Sequence, residues 1–219
     1  VDSVTLFQGH ISLFLVATFQ SKILNYDIYR QDKIVGTAKI LIKITQDGGK
    51  RTDTKLTLTE NKSSLEMHTT QVWGQSGRPT LKIVLMLDSK GVETSRMRVD
   101  FRASDLLISQ TVGGKLTKSN IPIPPKAEIR DLPEFWFLRD VPVKGKAYKY
   151  WTFNTTSLQW EETTSTFIGP SQLATKERTI KQNQVTQQIG KRKIDMMLDE
   201  AGFPVNSVTS DGIRIVAKS

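Results

Sequence analysis

Lys191-Arg-Lys-Ile-Asp-Met-Met-Leu198, the turn Asp199-Glu-Ala-Gly202, Phe203-Pro-Val-Asn-Ser-Val208, the turn Ser210-Asp-Gly212 and Ile213-Arg-Ile-Val216 follow one another near the C-terminal end of the sequence. Ile194, Met196 and Leu198 alternate with Lys193, Asp195 and Met197, and Ile213 and Ile215 flank Arg214. Successive side chains of a strand point to opposite faces, so a period of two builds one apolar and one solvated face. Turn residues between such runs predict an antiparallel meander with one buried face.

The same pattern extends back through most of the chain. Tyr26-Asp-Ile-Tyr-Arg30 leads into Val35-Gly-Thr-Ala-Lys-Ile-Leu-Ile-Lys-Ile44, where Ala38, Ile40, Ile42 and Ile44 share a face. Asp47-Gly-Gly49 signals a hairpin, Leu56 and Leu58 continue the alternation, and a further strand runs over 65–73. Leu81, Ile83, Leu85 and Leu87 face one way while Val84 and Met86 are apolar on the other, which predicts burial on both faces or a cover. Met97, Val99 and Phe101 alternate with charged residues, and Gly113-Gly114 marks another hairpin. Strands are expected again over 147–154, 158–168, 172–181 and 185–198. Regularly spaced short strands point to a mainly β chain, a large curved antiparallel meander forming a half-barrel or unclosed barrel.

One segment interrupts the strands. Ile121-Pro-Ile-Pro-Pro-Lys126 must be extended, because proline fixes φ and restricts the residue before it. Asp131-Leu-Pro-Glu-Phe-Trp-Phe-Leu138 then reads as a short helix or loop, with Asp131 or Leu132 at the cap and Pro133 in the first turn. Phe135 to Leu138 are too apolar for an exposed loop and are expected to plug the open side of the sheet. Residues 25–219 read as a single β domain. The N-terminal 1–24 contains Ile11-Ser-Leu-Phe-Leu-Val-Ala-Thr-Phe19, which is either a strand or short helix at the core edge or a retained export or anchoring segment.

Composition narrows the function. The 219 residues are 37% hydrophobic, and no apolar run reaches the length of a membrane-spanning helix. The formal charge of +9 comes from basic residues dispersed along strands, with one dense cluster at Lys191-Arg192-Lys193 that Asp195 follows. Dispersed cations suit a solvated outer face, or attraction to a membrane surface or acidic partner, better than a nucleic-acid track. The sequence has no cysteine, which excludes disulfides, thiolate metal sites and cysteine nucleophiles.

Catalytic patterns are sparse. His10 and His68 have no neighbouring metal-ligand spacing, so no metal and no cofactor is expected. Glu161-Glu162 are adjacent on a strand and point to opposite faces, so they cannot share a site without a bulge. Asp131, Glu134 and Asp140 flank the aromatic segment as a carboxylate rim. The positive signal is aromatic: Phe135, Trp136, Phe137, Trp151, Phe153 and Trp160. Trp151 and Phe153 share one strand face, with Tyr148 and Tyr150 on the other. These side chains form either part of the core or the lining of a groove for an apolar chain.

Tyr26-Asp-Ile-Tyr with Val35-Gly-Thr-Ala38, Asp131-Leu-Pro-Glu-Phe-Trp-Phe-Leu-Arg139 and Leu198-Asp-Glu-Ala-Gly-Phe-Pro-Val205 resemble uncharacterised, exported bacterial β-rich proteins. These are loosely similar to the lipoprotein-carrier and lipoprotein-receptor fold. The resemblance implies a curved sheet in an unclosed barrel, a helix or loop on its concave face, export to the periplasm or cell surface, and apolar-ligand binding. It implies no enzyme activity, and the absence of cysteine departs from lipid-anchored members. The expectation is therefore a non-catalytic extracytoplasmic protein that binds a lipid-like apolar ligand or a protein partner. The alternative is a structural or accessory subunit of a membrane-associated or extracellular assembly.

Overall fold

A computed structural model of the chain describes residues 21–60, 63–130, 134, 142–174 and 179–218. Every regular element among them is a strand: β1 (Ser21–Arg30), β2 (Lys33–Ile44), β3 (Lys50–Glu60), β4 (Ser63–Trp73), β5 (Pro79–Leu87), β6 (Glu93–Phe101), β7 (Asp105–Val112), β8 (Lys115–Pro122), β9 (Ala147–Asn154), β10 (Gln159–Ala174), β11 (Thr179–Ile189), β12 (Arg192–Leu198), β13 (Pro204–Thr209) and β14 (Ile213–Ala217). They form one 14-stranded sheet in the order β8-β7-β6-β5-β4-β3-β2-β1-β14-β13-β12-β11-β10-β9. The first and last strands pair, with Tyr26 opposite Ala217 and Ile28 opposite Ile215. The expected large antiparallel meander is present, and it does not close, because β8 and β9 end the sheet as separate edges.

Hairpin chemistry sets the register. Asp88 Oδ1 accepts from the amides of Lys90 and Val92 at 2.8 and 2.9 Å, and Asp199 Oδ1 accepts from that of Phe203 at 2.8 Å. Such side-chain-to-backbone bonds fold the turn before the strands need to meet. Gly49 is fixed by space instead. A Cβ there would lie 2.4 Å from the Trp73 carbonyl oxygen, so only glycine lets the β2–β3 turn approach β4 this closely.

β1 opens at Ser21, paired to Lys43. Three expectations change. The strand expected over 172–181 is two, since β10 continues to Ala174 and β11 starts at Thr179. The run over 185–198 breaks at Gly190, which takes φ +54, and this places Lys191-Arg192-Lys193 at a hairpin tip. On β5 the residues from Leu81 to Leu87 are half-buried on both faces, not fully buried. The expected plug from Phe135 to Leu138 and the apolar stretch 11–19 lie outside the described residues.

Following the register from strand to strand, a single face carries Tyr26, Ile28, Ile42, Val99, Leu106, Ile108, Phe167, Val185, Met196 and Leu198, all buried. This is the concave face. Phe167, Val185, Met196 and Leu198 pack as one cluster under β10–β12. Val99, Leu106 and Ile108 form a second cluster, and its fourth member is Phe153 on β9. Phe153 belongs to the opposite, convex face, because it alternates along β9 with Tyr148 and Tyr150, which pair with Ser165 and Thr163 on the concave side. The sheet is therefore a roll. The β9–β10 end tucks inside, and its convex face packs on the concave face of β6–β8. Burying each large apolar side chain in that seam contributes about 1.5–3 kcal/mol.

Candidate functional site

The aromatic residues singled out in the sequence divide between the seam and the undescribed segment. Phe153 and Trp160 are direct cross-strand neighbours with ring centroids 5.3 Å apart in an edge-on arrangement. Trp160 also meets Phe101 at 6.5 Å, and its Nε1 donates to the Pro122 carbonyl at 2.9 Å. Phe153 is only 3% exposed. Trp151 is half-buried, and its backbone is bonded by the chain that follows β8. Its amide donates to the Glu128 carbonyl at 2.7 Å, and its carbonyl accepts from Arg130 at 3.1 Å. All three thus lie where the roll overlaps itself. Phe135, Trp136 and Phe137 lie outside the described residues.

The interior surface comes from other residues, which only the register reveals. Across β1 to β6, one row on the concave face reads Lys22, Ile42, Thr52, Gln71, Lys82, Val99. The next row toward the middle of the strands reads Leu24, Ile40, Thr54, Thr69, Val84, Met97. The row after that reads Tyr26, Ala38, Leu56, Met67, Met86, Ser95. Polarity therefore falls along the strands, from a lysine-, threonine- and glutamine-bearing end to a mostly apolar middle. The apolar members from Ala38 to Met86 are half-buried, unlike the fully covered cluster under β10–β12.

The polar end is held together by ion pairs. Lys50 Nζ contacts the buried Glu134 carboxylate, and Lys50 lies directly across from Trp73. Lys22 Nζ reaches Asp199 Oδ2 at 3.1 Å and stands 3.9 Å over the Phe203 ring. Trp73 is 2% exposed, and its Nε1 has no hydrogen-bond partner among the described residues. Nearby, the Tyr26 hydroxyl donates to the Pro204 carbonyl at 2.9 Å. Burial, with the Asp199 charge adding to it, pushes its pKa up to about 12. On the inner layer the Tyr150 and Ser165 hydroxyls share a 2.8 Å hydrogen bond, and Gln187 Nε2 donates to Tyr150 at 2.6 Å.

Other sequence candidates have structural occupations. His68 Nε2 sits 2.5 Å from Glu66 Oε1, and Lys55 holds the other carboxylate oxygen at 2.7 Å. Together these bonds hold the Glu66 carboxyl below its ordinary range. Glu161 accepts from Asn154 on the concave side, while Glu162 pairs with Lys149 at 3.4 Å on the convex side, so the two carboxylates stay apart. Glu134 is buried beside Lys50, and Asp131, Asp140 and His10 lie outside the described residues. A cleft of about 470 Å³ borders the proline-rich segment. Its arginines serve the fold: Arg78 donates to the Arg102 carbonyl at 2.7 Å, and Arg130 to the Ser76 carbonyl at 3.0 Å. Among the described residues no three His, Cys, Asp or Glu side chains converge as a metal site.

No protein-family model matches the sequence, and a search of curated proteins finds no match. The fold does resemble a solved structure, a β-barrel-like protein of the domain of unknown function DUF1849 from Brucella abortus. The likeness has a TM-score of 0.59 at 11% identity and covers 90% of this chain and 96% of that one. At that identity the shared property is the fold. The neighbour is, like the proteins the sequence resembles, a bacterial β-rich protein with a barrel-like sheet.

Proposed function

We propose that this chain is a non-catalytic binding protein that holds an apolar chain against the concave face of β2 to β5. The half-buried apolar stripe of Ala38, Leu56, Met67 and Met86 carries this reading. Under β10–β12 the same face is filled to completion, whereas under β2–β5 its methionines and leucines keep accessible surface. Concave surfaces with apolar walls and few polar groups are the usual seats of small ligands, and methionine adapts its shape to varied chains. The extracytoplasmic, bacterial setting expected from the sequence belongs to this same proposal.

Titration with dodecan-1-ol, followed through the methyl NMR signals of Met67 and Met86, tests it. Saturable movement of those signals is expected, and Met86→Lys should abolish it while leaving the Met197 signal in place. A wild-type protein whose Met67 and Met86 signals stay still up to the solubility limit of the alcohol would sink the reading.

A further inference from the structure

The outer edge of β8 is a second surface, separate from the concave face. We propose that it takes up an extended acidic segment of a partner protein as an added strand, with Lys115 and Lys118 beside the partner's carboxylates. This stands whether or not an apolar chain occupies the concave face.

The ladder fixes which backbone groups the edge presents. Gly113-Gly114 make a two-residue turn closed by Val112 and Lys115, and such a closing pair exchanges both backbone hydrogen bonds. Lys115, Thr117, Ser119 and Ile121 therefore turn their N–H and C=O groups toward β7, while Leu116, Lys118 and Asn120 turn theirs away from it. Two bonds at the end of the strand agree with this phase. The Ile123 amide donates inward to the Ser104 carbonyl at 3.0 Å, and the outward Pro122 carbonyl accepts from Trp160. Trp160 thus occupies the edge at Pro122 and leaves 116–120 open. β8 ends the sheet, and every residue from Lys115 to Asn120 is exposed. Among the described residues nothing pairs with the outward groups of Leu116, Lys118 and Asn120. A row of such donors and acceptors is a template for another strand.

Charge selects the occupant. β7 and β8 together hold two lysines and one carboxylate, Asp105, which lies at the end away from the turn, 4.0 Å from Arg102. Arg96 and Arg98 on β6 are already held by Glu93 and Asp100. The ammonium groups of Lys115 and Lys118, by contrast, have no partner among the described residues. They stand on opposite faces of the strand, and Leu116, 56% exposed, shares the face of Lys118. A second copy of this chain would bring its own lysines alongside these, and like charges across a ladder destabilise it. An acidic strand gains opposite-charge pairs at the same positions, and its apolar residues meet Leu116.

Three end-blocked octapeptides titrated into the isotope-labelled full chain test this. One alternates glutamate with valine, one alternates lysine with valine, and the third is the glutamate–valine peptide with every backbone nitrogen methylated. The glutamate–valine peptide is expected to bind about tenfold more tightly than either of the others, because only it offers both the charge and the backbone donors. At saturation, hydrogen exchange at the amides of Leu116, Lys118 and Asn120 should slow about tenfold, while Thr117 and Ser119, already bonded to β7, change little. Lys118→Glu, at an exposed position, should shift the preference toward the lysine–valine peptide. Equal binding of the methylated peptide would show attraction by charge alone and overturn the added strand. So would slowed exchange that does not alternate along β8. Tighter binding of the lysine–valine peptide to the wild type, or no binding of the glutamate–valine peptide, would overturn the acidic partner. Alternating protection without peptide, rising with protein concentration, would assign the edge to a second copy of the chain instead. The exchange pattern is read on the wild-type protein, so the result does not depend on how the variant folds.

Discussion

Tyr26 shows how a single side chain couples the roll to solvent conditions. Its hydroxyl donates to Pro204 near the start of β13, more than a hundred residues away in sequence, and its ionisation is pushed from 10.0 to about 12. The folded pKa is raised, so the stabilisation is fully present below the unfolded value of 10.0 and is lost as pH rises through about 12. The loss should total about 2–3 kcal/mol, two pKa units at 1.36 kcal/mol each. Urea midpoints measured from neutral to strongly alkaline pH should therefore fall more steeply for the wild type than for Tyr26→Phe. At neutral pH that variant should lose only about 0.5–1.5 kcal/mol, the net value of a hydrogen bond. Parallel pH profiles for the two proteins would refute this account. At this scale the sequence was partly legible. The faces of Trp151, Phe153, Tyr148 and Tyr150 follow from alternation alone, and the register bears them out. The concave row of Ile42, Thr52, Gln71, Lys82 and Val99 was not legible, because a row across strands exists only once five strands are in register.

Among the elements, the overlap of β9–β10 on β6–β8 is the most informative contact. The pair Phe153 and Trp160 anchors it, with Leu158 and Ile121 packed against the same cluster. Truncating buried aromatic side chains typically costs about 3–5 kcal/mol, so Phe153→Ala should lower stability by that order. Trp160→Phe keeps most of the ring contact and removes the 2.9 Å hydrogen bond to Pro122, a loss of about 1 kcal/mol. A double-mutant cycle between Phe153→Ala and Trp160→Ala should give a coupling of about 0.5–1.5 kcal/mol, as edge-on aromatic pairs do. Additive losses would show that the seam is held elsewhere. Strand existence was legible from the alternation of Ile194, Met196 and Leu198 and of Met97, Val99 and Phe101. Strand ends were not. Polar strand text such as Gln182-Asn-Gln-Val-Thr-Gln-Gln188 reads the same on either side of a turn, and a lone Gly190 gives little warning of the tight hairpin it makes.

For the whole molecule the decisive ladder is β1 against β14, which ties residues 26–30 to residues 213–217. It joins two meanders, each built from hairpins between consecutive strands, into one sheet. Pairings this distant in sequence carry the full loop-closure cost before they stabilise anything, so refolding is expected to be slow, with β1–β14 amides protected last. Pulse-labelling hydrogen exchange would show those amides lagging behind the β3–β4 amides, and simultaneous protection would contradict the expectation. No local pattern announces this ladder. The meander was legible hairpin by hairpin, but the meeting of its ends depends on the curvature accumulated over 14 twisted strands.

β8 and β9 do not pair with each other, so no ladder closes the ring. In a closed barrel the number of strands and their stagger fix the bore, and changing it means breaking a ladder. Here the circumference is set by how far one end of the sheet lies over the other. That overlap is held by side-chain packing, the Trp160–Pro122 bond and the short bridge between Ile129 and Trp151. It works as the lap of a cuff does: a small slip between the layers changes the girth while the hairpin ladders around the rest of the ring stay whole. The girth of this sheet thus rests on the lap between its two ends and not on a closing ladder.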